Sequence, residues 1–333
     1  YKVTGVQTCA LPISKIKIMK KNLRNLLVLS LGLITTIASA QWSASSTTRA
    51  DNPDEGERSA EQRINVSADW GAVHVSTDYT LDMQSGEMTT EVYEAYVSTD
   101  LMGMATLTAG KQDLSFGSGA LISSNDWGLE RYTNTGGDIA LELGGFNVNV
   151  GTLNGVAQAN NYMNLGGSFA GADVNILMMN DGDNSAHGYD LSYAMGDFSL
   201  AVSMNEDMNE ATYNSYTISY NVMDNLTASV SQTSNEGGFS MDNTALSGGW
   251  DNGNIGYLND GDEDRAISIS YALGDISLGY TMHNIDNETA GTEQDASSMT
   301  LGYQLNDNAH VGLARFADVD ETEYTWITLS IGL

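Results

Sequence analysis

Between residues 265 and 282, Ile267, Ile269 and Tyr271, then Ile276, Leu278, Tyr280 and Met282, fall on one side of an extended chain. Ser268, Ser270, Ala272, Ser277, Gly279 and Thr281 fall on the other. A period of two is the signature of a strand with two unlike faces. The same alternation runs through YDLSYAM, FSLAVSM, YTISYNV and MTLGYQL, and no comparable stretch has helical period. A chain built of such strands can turn its apolar face inward, as a soluble sandwich does. It can instead turn that face toward lipid, as a transmembrane barrel does, leaving small polar groups to line the lumen. Alternation alone does not separate the two.

A repeat helps to choose between them. SYAMGDFSL (192–200), SYNVMDNLT (219–227), SYALGDISL (270–278) and GYQLNDNAH (302–310) share a tyrosine, an apolar residue two later and an aspartate at a turn. Gly-Asp and Asn-Asp tolerate the positive backbone angles of tight hairpins. Tyr193, Tyr220, Tyr271 and Tyr303 therefore sit at one height on the apolar face, just before short turns. A row of aromatics at one level fits the girdle of a membrane interface. Cross-strand aromatic packing in a soluble sheet is the competing reading.

The connections give a count. Short turns are expected near Trp70, Met102, Gly144, Gly171, Gly196, Asp224, Asn252, Gly274 and Asp307, with longer polar loops such as NEDMNEA and NIDNETAGTEQDAS between them. Short turns on one rim and long acidic loops on the other describe an outer-membrane barrel. Two strands per turn, a first strand near residues 42–49 and a closing strand from Tyr324 give 20; glycines and asparagines break the pair around Trp250 and Ile255. The expectation is an all-β, closed antiparallel transmembrane barrel of 18 strands, within a range of 16 to 20. The segment 115–135 is the longest connection in this count. YTWITLSIGL puts Thr325, Ile327, Leu329, Ile331 and Leu333 on one face, and it resembles the terminal strand that barrel-assembly machinery reads.

The first 40 residues are of another kind. VTGVQTCALPIS (3–14) looks like the in-frame translation of a sequencing-library adapter, which places the start at Met19 and removes Cys9 and Pro12 from fold reasoning. From Met19, a basic start (Lys20, Lys21, Arg24), an apolar centre from Leu26 to Ile37 and the small residues Ala38 and Ala40 read as a secretory signal peptide. Its centre is too short for a hydrocarbon core that takes about 20 helical residues. Residues 1–18 are thus expected to be foreign, 19–40 a signal, and 41–333 one barrel domain.

Charge restricts the partners. Six of the 13 lysines and arginines precede Gln41, so seven face all 43 acidic residues in the expected mature part, a net −36. Nucleic acid and anionic surfaces are poor partners for such a chain. With Cys9 set aside there is no cysteine for a disulfide or a thiolate metal site. His74, His187, His283 and His310 lack metal spacing, and no nucleophile elbow or phosphate loop accompanies them. NDGDNS (180–185) and NDGDEDR (259–265) carry oxygen ligands for calcium without completing a calcium-loop motif, so they read as solvated loops. Neither an enzyme nor a cofactor is expected.

The segment 94–143 resembles a block of the alginate-export-type outer-membrane barrels of Bacteroidetes. It does so through Gly110, Lys111, Gln112, Asp113, Ser115, Phe116, Asp126, Trp127, Arg131 and Asp138. VNILMMNDG (174–182) and the closing YTWITLSIGL are similar to that family too. The resemblance implies export or passive diffusion through the lumen. A pore for a polyanion should present arginines and lysines at its constriction, and few remain here. A porin-like channel for small hydrophilic solutes, cation-preferring, is therefore expected ahead of alginate or other polysaccharide export. A structural or adhesive surface barrel with a plugged lumen is the third reading.

The candidate pore residues are Lys111, Asp113, Asp126, Trp127, Arg131, Asp138, Glu142 and Asp190. Asp138, Glu142 and Asp190 share parity with the small polar face, and Asp126, Trp127 and Arg131 are expected at a constriction or under a lid. The expected surroundings are outer-membrane lipid, the assembly machinery and small solutes or ions; the sequence sets no oligomeric state.

Overall fold

The computed structural model describes residues 41–124, 133–154, 161–239, 244, 258–319 and 322–332. Residues 1–40, which hold the expected adapter translation and signal peptide, lie outside them. The strands are β1 (Gln41–Pro53), β2 (Ser59–Trp70), β3 (Val73–Asp82), β4 (Met88–Leu101), β5 (Ala105–Gln112), β6 (Asn134–Leu143), β7 (Phe146–Asn154), β8 (Asn161–Phe169) and β9 (Ala172–Asp181). They continue as β10 (Asn184–Met195), β11 (Phe198–Glu206), β12 (Thr212–Met223), β13 (Leu226–Glu236), β14 (Asp262–Leu273), β15 (Ile276–Asn287), β16 (Thr292–Asn306), β17 (Ala309–Ala317) and β18 (Glu323–Gly332).

These 18 strands form one antiparallel sheet in which each pairs with its successor. β18 returns to β1, with Arg49 opposite Thr328 and Asp51 opposite Trp326. Closure removes the open edges that a sheet of such strands would otherwise present. The strands run from 8 to 15 residues, a range that brackets the roughly 9–11 that cross a hydrocarbon core when tilted. The fold class and the strand number are those the alternation and the turns predict.

The ladder assigns the faces. Ile267 opposite Met282, Ile269 opposite Tyr280 and Leu278 opposite Leu301 point outward and stay about half exposed, because no protein covers them. Ser268 opposite Thr281 points inward and bonds to it at 2.9 Å. A barrel with apolar residues outside and hydroxyls inside is inverted relative to a soluble core, and only lipid buries such an exterior. Tyr193, Tyr220, Tyr271 and Tyr303 all lie on the outer face near one rim, where Phe198 pairs with Tyr220 and Ile276 with Tyr303. Trp42 and Trp70, edge to face at 5.7 Å, add to the aromatics on this rim.

That rim carries the short turns: 71–72, 102–104, 144–145, 170–171, 196–197, 224–225, 274–275 and 307–308. Gly196 at φ 62° and Gly274 at φ 57° take the left-handed conformation that these hairpins need.

The opposite rim departs from expectation in two ways. β9 and β10 are joined there by Gly182 and Asp183 alone, and β15 and β16 by residues 288–291. Most of NIDNETAGTEQDAS is therefore strand: Asp286, Glu293 and Asp295 ride on outward positions beyond the apolar band, where charge replaces alternation as the signal. The second departure is the longest connection. It is 237–261, between β13 and β14, while 113–133 is shorter. The expected turn near Asn252 falls within this connection, outside the described residues.

Candidate functional site

The wall facing the lumen is built of serine, threonine, asparagine and carboxylates. Register places Asp69, Asp78, Glu94, Asp138, Asp190 and Asp264 inward, together with Ser215, Thr217, Ser219, Ser229, Ser231 and Thr233. Of the strand arginines and lysines among the described residues, only Arg49 and Arg63 face the same way. The Arg49 guanidinium lies 4.5 Å from the centre of the Trp326 ring. Arg265 and Arg315 are on outward positions: Arg265 bonds Glu263 at 2.6 Å, and Arg315 bonds Asp54 at 2.9 Å and also Glu323.

Two inward histidines are held by acids. His283 Nδ1 lies 2.7 Å from Asp264 Oδ2. His74 Nδ1 lies 2.7 Å from Asp69 Oδ1, and its ring stacks on Tyr96 at 4.7 Å. Asp262, from the segment 259–265 weighed for calcium, accepts from the Asn259 amide at 2.7 Å and from Asn287 at 2.8 Å.

The start of the 113–133 connection folds into the barrel. Asp113 anchors it: its carboxylate accepts from Tyr93 Oη and, at 3.1 Å, from Ser124 Oγ, while its amide donates to Glu94. A compact turn follows, closed by Gly119 N–H to Phe116 O at 3.0 Å, by Phe116 N–H to Ile122 O at 3.2 Å, and by Ser123 Oγ to Gly119 O at 2.6 Å. Ile122 is buried with Leu153, Tyr162, Leu177 and Met179, all on inward wall positions. Ala120 is buried with Ala211, Tyr213, Phe239, Leu258 and Ile285. Phe239 and Leu258 come from the two described ends of the 237–261 connection, which Asn235 ties together through Phe239 N–H at 2.8 Å and Leu258 O at 2.8 Å. The upper lumen thus contains a dry core made by two loops against the wall.

Sequence reasoning did not identify this core, although a signal existed. In VNILMMND, Ile176, Leu177, Met178 and Met179 break the alternation. Ile176 and Met178 face out, while Leu177 and Met179 face in to receive the loop. A continuous apolar run marks a strand covered on both faces.

The predicted pore residues separate into four groups. Asp138, Glu142 and Asp190 face the lumen. Asp138 is buried, accepting from Tyr162 Oη at 2.8 Å and from Asn149 at 3.2 Å, and Gly151 between them leaves room for the Tyr162 ring. Glu142 is exposed near the short-turn rim. Asp113 braces the loop. Lys111 takes neither place: opposite Ala95 and two residues from Ala109, it has the parity of outward Leu107, and its ammonium bonds Glu91 at 3.0 Å and Val92 O at 2.6 Å. Gly110, φ 140°, explains the motif around it, since a Cβ there would collide with the backbone of Ala95 and Tyr96. Asp126, Trp127 and Arg131 lie outside the described residues.

A further opening remains beneath the loop. A cavity of about 500 Å³ runs between Gly117–Ser118 and the wall of β8 to β12, lined by Asp173, Asn175, Asp190, Ser203 and Ser215 among others.

No protein-family model and no curated protein matches the sequence, so the resemblance to alginate-export barrels has no support from either comparison. Solved structures do match. Pseudomonas aeruginosa OccK2 (OpdF) aligns with 88% of this chain and 97% of its own at a TM-score of 0.70 and 14% identity. The outer membrane protein OpdK of the same species aligns with 88% and 98% at 0.68 and 12%. Acinetobacter baumannii OccAB2 aligns with 90% and 98% at 0.66 and 12%. At such identity the likeness is one of fold: the closed 18-stranded antiparallel barrel of outer-membrane porin structures.

Proposed function

We propose that this chain is an outer-membrane channel for passive diffusion of small hydrophilic solutes, and that it prefers cations. The observation that carries the reading is the sign of the wall. Carboxylates face the lumen from β2, β3, β4, β6, β10 and β14, whereas the inward strand cations among the described residues are Arg49 and Arg63. Fixed negative charge in a narrow, low-dielectric passage concentrates cations and repels anions. The inward loop packs against the wall on one side of that passage, and a cavity bordered by Asp173, Asn175 and Asp190 lies beneath it. The outward apolar band and its aromatic rim suit a hydrocarbon layer with its interface, and β18 is the strand proposed to be read during assembly.

Export of alginate fits this wall poorly, because a polyanion would meet more acids than bases along it. A plugged surface barrel is the second reading, favoured by one feature, the dry core that the two loops form inside. Planar-bilayer recording of the refolded barrel distinguishes them. Stable conductance steps with a cation-directed zero-current potential support the channel, and a folded but silent barrel supports the plug.

A further inference from the structure

The cavity beneath the inward loop has a composition that selects among solutes. Asn175, Asp190, Ser203 and Ser215 pair laterally on the four consecutive strands β9 to β12, so they form one row across the wall. Asp173 faces the same cavity, and Gly117 lies over the row. A Cβ on Gly117 would overlap the Asp190 carboxylate and crowd the Asn175 amide, so the loop backbone closes directly onto these two side chains.

The row is left incomplete. Asp190 Oδ1 and Asn175 Nδ2 are shielded from solvent and have no hydrogen-bond partner among the described residues. Asn164, 4% exposed on the neighbouring strand, has its Oδ1 in the same condition, and its amide lies against Gly166, which lines the cavity. Buried polar atoms are nearly always bonded, and an unsatisfied carboxylate oxygen is among the costlier exceptions. A guest that donates to Asp190 and accepts from Asn175 would complete the row.

The lining excludes most guests. It contains two carboxylates and no lysine or arginine, so an anionic solute meets repulsion without a counter-charge. Its serine hydroxyls both donate and accept, which suits the hydroxyls of a polyol. Its volume of about 500 Å³ falls in the range of small-ligand pockets, about 300–1,000 Å³. We infer that this cavity is a binding station on the permeation path for a small solute carrying a protonated amine beside hydroxyl groups, with Asp190 as its counter-ion. The inference rests on the channel reading and adds a solute class to it.

Calorimetric titration of the refolded barrel in detergent with glucosamine, glucose and gluconate tests it without requiring conductance. Saturable binding of glucosamine is expected, about tenfold or more tighter than that of glucose, with none for gluconate. Asp190→Asn, checked for folding by its heat-modifiable migration, should lose that advantage. Absence of saturable glucosamine binding to the wild-type barrel, equal binding of the amine and the neutral sugar, or undiminished binding in folded D190N overturns the station. The zero-current potential of the wild-type barrel is recorded separately. Cation preference without glucosamine binding rejects the station and keeps the channel, whereas a silent barrel that binds glucosamine rejects the channel alone.

Discussion

Gly117, at φ 57° on the inward loop, lies directly against the carboxylate of Asp190 on β10, with no room between them for a Cβ. At this contact the loop backbone meets the wall, and both requirements on Gly117, conformation and space, act at the same position. Gly117→Leu should cost about 1–2 kcal/mol from the left-handed backbone and push the loop off the wall. Single-channel recording should show a changed conductance in a barrel that still folds. Unaltered conductance would mean that the loop does not define the passage.

The inverted surface predicts a face-specific cost. Ile267 is 50% exposed on the outer face, and Ser268 beside it faces Thr281 inside. Ile267→Arg should destabilise the barrel by about 2–4 kcal/mol if it sits near the midplane of the hydrocarbon. Ser268→Arg, facing water, should cost far less. Urea unfolding in lipid vesicles reads the difference, and equal losses would contradict a membrane-facing exterior.

The buried Asp138 carboxylate depends on its donors, Tyr162 Oη at 2.8 Å and Asn149. Tyr162→Phe removes one of them and should lower stability by about 1.5–3 kcal/mol, as expected for a hydrogen bond to a charged group. Asp138→Asn combined with Tyr162→Phe should cost less than the sum of the two single changes, because the partners are coupled. Additive losses in the urea midpoints would show that the pair does not interact.

Outside the membrane band, Arg315 reaches from β17 to Asp54 after β1 and to Glu323 on β18, clasping the seam where the barrel closes. The hydrogen bond from Arg315 holds the Asp54 carboxyl below its ordinary value of 3.8. A carboxyl lowered by folding contributes stability that is complete above its unfolded value and lost as pH falls through the folded one. The outer end of the β1–β18 seam should therefore exchange amide hydrogens faster, relative to the intrinsic rate, below about pH 4. Arg315→Ala should abolish that pH dependence, and its persistence in the variant would assign it to other groups.

These features were legible in the sequence to unequal degrees. Four of the eight short turns stand out as Gly-Asp (196–197, 274–275) or Asp-Asn (224–225, 307–308), a glycine marks each of the other four, and together they carry the strand number. The far ends of β15 and β16 were hidden because Asp286, Glu293 and Asp295 face outward above the lipid, where a charged residue fits as well as an apolar one. The dry core under the loops was hidden because period two assigns a face without saying what covers it. Leu177 and Met179 appear as interruptions until the loop is seen against them. Lys111 shows the reverse error. A motif drew it into the pore, whereas its parity with Leu107 already placed it on the other side. Asp190 was assigned to the lumen by parity alone, but its partnership with Asn175 and Gly117 requires the register of three separate segments.

The sign of the field inside the barrel decides which ions it favours, and the zero-current potential across a planar bilayer in a potassium chloride gradient measures that sign. With the refolded barrel inserted, the potential should have the direction of potassium permeation. It should be larger at about 0.1 M than at 1 M mean salt, since the screening length falls from about 10 Å to about 3 Å over that range. A potential of chloride sign at low salt would contradict the account and return the lumen to the transport of anions.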